Sequence, residues 1–220
     1  MAVNWERWAR ASGIAFVVCA VLAFVVGGET PQVGDPIEDV VSYYDGDRST
    51  VLVSSFLFAV GLGFWIWFAG TLANNLRDRG EGRVAATIIG AVAAFATIQL
   101  VGTALNAVLA YSVAGSGEAG VTKALFDLTW TLDVIAAVPS AVFFLAAPLG
   151  LMRTEMIPRW LSLAGLGVAA LFALRLTNWA SDGFWSPTGE YLFVLIPLTL
   201  LWILVTSVIL VRSATAAPTS

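Results

Sequence analysis

VAATIIGAVAAFATIQLVGTALNAVLAYS, residues 84–112, runs without a single charged side chain. A helix of about 20 apolar residues crosses the hydrocarbon core of a bilayer, so this stretch can span one with residues to spare. Three of its polar members, Gln99, Thr103 and Asn106, are spaced by four and then three, which puts them on one helical face. Five more stretches read the same way, at 12–28, 50–73, 130–152, 160–180 and 190–211. The sequence therefore predicts an all-α, polytopic membrane helix bundle, a single domain of six transmembrane helices. Turn and charge signals are confined to the connectors, because irregular backbone and charge are disfavoured in lipid.

Composition agrees. Hydrophobic residues make up 59% of the 220 and charged residues 12%, against about 25% charged in soluble domains. With no histidine and one cysteine, Cys19, an intramolecular disulfide is excluded and the imidazole ligands of haem, zinc and copper are missing. Histidine-dependent hydrolases are excluded for the same reason. No P-loop or dinucleotide fingerprint occurs. Asp127 and Asp133 lie on different helical faces, so they form no carboxylate dyad. The expectation is a non-enzymatic protein without a cofactor or metal. A sequence pI near 4.7 and the lack of a basic patch argue against nucleic acid. The expected partner is the lipid bilayer.

Basic residues set the expected orientation. With the N-terminus cytoplasmic, Arg7, Arg10, Arg77, Arg79, Arg83, Arg153, Arg159 and Arg212 fall inside, and Arg48, Lys123 and Arg175 outside. Both termini are therefore expected in the cytoplasm. The first apolar run is long for a signal peptide and lacks an A-x-A site, so it reads as a retained span. In the first outer loop, Asp35 is a candidate N-cap and Pro36 a first helical residue. Ile37, Val40, Val41 and Tyr44 then form the apolar face of a short helix over about 36–44. It fits either surface packing or a lid.

The stretch 122–140, TKALFDLTWTLDVIAAVPS, carries the most informative polar residues. Thr129, Asp133 and Ser140 share one stripe, whereas Lys123 and Asp127 form a separate i,i+4 pair expected to be exposed. Arg175 lies about 22 Å along the helix from Trp160, and Gln99 about 22 Å from Val84. Asp133, Arg175 and Gln99 are thus expected at one depth, with Asn106, Asn178 and Thr129 nearby. Ionisable residues within spans often mark sites. This set could line an outward polar pocket for a small polar or amphiphilic ligand or a lipid headgroup. It could equally be a structural ion pair, or Arg175 could snorkel to the surface. Small-residue stripes, Ala86, Gly90 and Ala94 on the third span and Gly165, Ala169 and Ala173 on the fifth, allow close helix approach. They suggest that both helices are central, and they admit a membrane protein partner. Pro139 and Pro148 in the fourth span, and Pro197 in the sixth, are expected to kink their helices. The function readings are a ligand-binding membrane protein, an accessory subunit of a membrane complex, or a small secondary transporter, which would usually show repeats.

Three segments carry a family resemblance: PIEDVVSYYDGDRSTVLVSSF at 36–56, NNLRDRG at 74–80 and IPRWLSLAGLGVAAL at 157–171. In these the chain resembles six-span bacterial integral membrane proteins grouped as a domain of unknown function, frequent in actinobacteria. The resemblance implies a six-helix membrane fold in a bacterial plasma membrane. It implies no activity and no site residue.

Overall fold

Lipid offers a chain no hydrogen bonds, so each apolar segment must satisfy its backbone internally. The computed structural model describes residues 2–215 and contains no strand among them. Eight α-helices follow in order: α1 (Ala2–Gly27), α2 (Ile37–Gly46), α3 (Arg48–Asp78), α4 (Gly82–Val108), α5 (Ala119–Ile135), α6 (Ala137–Arg153), α7 (Arg159–Arg175) and α8 (Tyr191–Thr215). Within the described residues, five segments are long and apolar enough to cross a membrane: α1 from Arg7, α3, α4 with its extension to Ser116, α5 with α6, and α8. The chain is an all-helical membrane protein.

The helices form a ring in chain order. α1 packs on α3, α3 on α4, α4 on α5 and α6, α6 on α7, α7 on α8, and α8 back on α1. The closing contact is direct: Ser207 Oγ donates to the Arg10 carbonyl at 2.5 Å, and Arg10 Nη1 donates to the Leu210 carbonyl at 3.0 Å. Aromatic side chains fill the middle. Trp65 meets Phe143 at 4.7 Å between ring centroids, Phe143 meets Phe144 at 5.1 Å, and Phe144 meets Trp202 at 5.2 Å. Edge-to-face rings of this kind contribute about 0.5–1.5 kcal/mol per pair beyond their burial. Gly165 makes this packing fit, because a Cβ there would stand 2.5 Å from both Pro148 and Trp202. Trp202 in turn donates its indole N–H to the Leu161 carbonyl at 2.8 Å, joining α8 to α7.

The two ends of the ring differ. At one, the turn between α3 and α4 lies beside the start of α1; we call it the hairpin end. At the other, α2 lies across α3, α4 and α5. Beneath α2, Val40, Tyr44, Val51, Leu109 and Phe126 form a second, smaller core. There α4 passes through a π-helical turn, Leu109–Val113, into a short 3₁₀ turn that ends at Gly117 with φ 80°. A left-handed residue at this position favours glycine.

Several expectations need correction. The fifth apolar stretch was expected over 160–180, but α7 stops at Arg175 after 17 residues and is not among the five long spans. The remaining residues, from Leu176, turn instead into the loop before α8. The fourth stretch is two helices meeting at Ala136. Pro139 has no N–H for the Ile135 carbonyl, so the ladder breaks one turn earlier. Pro148 and Pro197, by contrast, ride inside α6 and α8. Asp35 does not cap α2: its carboxylate accepts from the Gln32 N–H at 2.7 Å, and Pro36 takes the cap position. The two small stripes are not equivalent. Gly165 and Ala169 are buried, whereas Ala173 and all of Ala86, Gly90 and Ala94 are exposed, so α4 is not enclosed on both faces.

Candidate functional site

The polar residues of α4, α5 and α7 meet at the α2 end. Arg175, the last residue of α7, reaches across to α5, and its Nη2 pairs with Asp133 Oδ2, 42 residues away in sequence. Gln99 on α4 donates from Nε2 to the other carboxylate oxygen, Oδ1, at 3.0 Å. Arg175 Nη2 also donates to the Pro187 carbonyl at 3.2 Å. One carboxylate thus ties together three helices, and through Arg175 it fixes the loop before α8. Burial is uneven: the Arg175 side chain is 2% exposed and that of Asp133 29%. A charged pair in low dielectric is held by its partners, and removing one leaves the other uncompensated.

Two loops roof this cluster. Val33 N–H donates to Thr188 Oγ1 at 3.2 Å, and a Cβ on Gly34 would stand 2.7 Å from the Ser181 carbonyl oxygen. Lys123 Nζ donates to the Val33 carbonyl at 3.2 Å while pairing with Asp127. These contacts bring the loop before α2 against the loop after α7. Sequence reasoning missed them, because backbone carbonyls as partners leave no mark in residue type. The Tyr191 hydroxyl donates to the Leu171 carbonyl at 2.6 Å, tying the start of α8 to α7.

The six candidate residues divide into those that meet and those that do not. Asp133, Arg175 and Gln99 meet. Asn106 lies apart: its Oδ1 accepts from the Tyr44 hydroxyl at 2.5 Å, pinning α2 to α4. Burial pushes the Tyr44 phenol well above its ordinary range, with Tyr43 adding to the effect, so it stays a donor. Burial, and then the charge of Asp47, raise Tyr43 as well. Thr129 turns back onto its own helix, donating to the Leu125 carbonyl at 3.0 Å. Asn178 is fully buried one turn beyond Arg175, and neither amide atom has a partner among the described residues; the same holds for Arg175 Nη1.

Deeper in the ring is a cavity of about 40 Å³ lined by Phe16, Trp65, Phe143 and Phe144, with Ser140 and Thr199 at its edge. Both hydroxyls donate to carbonyls of their own helices at 2.8 Å, so the void is apolar in character. Among the described residues, no group of three or more acidic or cysteine side chains could hold a metal ion. The geometry defines a membrane helix bundle with a polar clasp at one end. No protein-family model, curated protein or solved structure matches the chain.

Proposed function

We propose that this chain is a six-span, non-catalytic protein of the bacterial plasma membrane, with both ends cytoplasmic, that serves as a structural or accessory subunit of a membrane protein assembly. The observation that carries the reading is the closed clasp. Both Asp133 oxygens are engaged, one by Gln99 and one by Arg175, and Arg175 Nη2 also reaches the Pro187 carbonyl with the arginine buried, while its Nη1 has no partner among the described residues. Groups so committed hold the bundle together and leave a partner to be met elsewhere. α7 counts as the remaining span, since 17 residues rise about 25 Å, within reach of a thin hydrocarbon core. The partner is a transmembrane helix packing against Ala86, Gly90 and Ala94, whose small side chains permit close approach.

Gly90→Leu tests this cleanly. Nothing lies within 4 Å of a Cβ at Gly90, so the isolated fold accommodates the substitution. After gentle extraction, the native chain is expected in particles larger than its own 23.3 kDa plus bound detergent, and the variant in single-subunit particles with an unchanged melting temperature. A native chain already in single-subunit particles overturns the proposal.

A second reading, a small polar ligand or water site beneath the roof, is favoured by the unpartnered amide of Asn178 beside Arg175. An unoccupied buried amide is destabilising, and an occupied one is not. Asn178→Leu should therefore raise the melting temperature if the amide has no occupant. It should lower it if a polar molecule sits there.

A further inference from the structure

The hairpin end carries a feature that the clasp does not explain. A groove of about 340 Å³ lies between the start of α1 and the last turns of α3. Its apolar part is walled by Trp5 and Trp67, edge to face at 5.2 Å. Gly70 lies between them and the polar part, and a Cβ there would meet nothing within 4 Å. Asn74, Asn75 and Asp78 line the remainder. On α3 these residues follow one another along the axis, so the groove passes from aromatic to polar over about 16 Å. That gradient matches a membrane boundary, where tryptophan sits at the headgroup level.

We propose that this groove binds a zwitterionic phospholipid with a primary-amine headgroup, a phosphatidylethanolamine, with an acyl chain against Trp67 and Gly70 and the headgroup at the end of α3. Charge complementarity selects the headgroup. Among the described residues that line the groove, Asp78 is the charged one, and its carboxylate suits an ammonium. Asn74 and Asn75 add acceptors for the remaining amine protons. Arg77, one residue before Asp78, donates from Nη1 to Asn74 Oδ1 at 3.2 Å. It offers a cation to the phosphate beside the anion for the amine. Phosphatidylglycerol, an anionic lipid without an amine, has nothing to place against Asp78. A choline headgroup has no N–H to donate to it.

The test is lipid titration of the purified full chain in detergent, read by native mass spectrometry, with phosphatidylethanolamine, phosphatidylcholine and phosphatidylglycerol of matched chains. The ethanolamine lipid is expected to bind most tightly. Asp78→Asn, which preserves shape at an exposed position, should weaken it roughly tenfold, the scale of one charge-assisted contact. It should also erase the preference over the choline lipid. Gly70→Phe, which fills open space, should weaken all three. Tighter binding of phosphatidylglycerol, equal binding of all three lipids, or an unchanged preference in Asp78→Asn overturns the assignment.

Discussion

Two acid–base pairs stand at the α2 end, and they do different work. Lys123 and Asp127 lie four residues apart on α5, with side chains 33% and 43% exposed. Asp133 and Arg175 come from different helices, and the arginine is 2% exposed. The first pair is made by the local turn of one helix and is part-exposed, with Lys123 also donating to the Val33 carbonyl, so solvent screening keeps its contribution to about 0.3–0.5 kcal/mol. The second exists only once α5 and α7 are in place. There the cost of an unpartnered charge, rather than the attraction itself, sets the scale. Contact is alike in the two pairs; consequence is decided by burial.

The sharpest way to break this comparison is Asp133→Ala. It strands the Arg175 guanidinium in a buried place and should cost about 3 kcal/mol, the low end for a broken buried pair because Asp133 keeps some exposure. In thermal unfolding this is a fall of roughly 6–12 °C for a chain of this size. Arg175→Met comes next, at about 2 kcal/mol, because the stranded partner is then a part-exposed carboxylate still held by Gln99. Equal losses for the two variants would show that the uneven burial does not matter.

Tyr44→Phe removes the hydrogen bond to Asn106 and should cost about 1 kcal/mol. It also carries a pH signature. The folded-state pKa of Tyr44 is raised above the ordinary 10.0, so the folded state keeps its proton where the unfolded state has lost it. The native protein should then hold its Tyr44-dependent stability below pH 10.0 and lose it as pH rises further. Melting temperatures across that range should fall more gently in Tyr44→Phe than in the native chain. The smallest effect belongs to Asp127→Ala, at about 0.5 kcal/mol, and added salt should shrink it further. A loss as large as that of Asp133→Ala would collapse the distinction between the pairs.

The all-helical, membrane-compatible character was legible in the sequence, because apolar length is a local quantity. So was the shared depth of Gln99, Asp133 and Arg175, because rise per residue is fixed. Which of the polar residues meet was not. Asn106 shares a face with Gln99, yet α2 lies over that end of α4 and Tyr44 takes it. The early end of α7 was also hidden. Leu176, Thr177, Asn178 and Trp179 read as a continuing span, but their turn is closed by side chains onto carbonyls, as when Trp179 Nε1 donates to the Leu176 carbonyl at 2.8 Å. The outward direction of Ala86, Gly90 and Ala94 follows from which neighbours α4 acquires, and spacing alone does not state that.

The ring closes last where the chain begins first. Ser207 and Arg10 are 197 residues apart, so α1 reaches the membrane long before the helix that completes its packing. At synthesis rates of about 5–20 residues per second, the interval is roughly 10–40 s. During that time α1 has α3 as a neighbour, but its α8-facing side, at Gly13, meets lipid or whatever the insertion machinery supplies. A chain truncated before α8 would keep its clasp residues and its α2 roof while leaving this seam open.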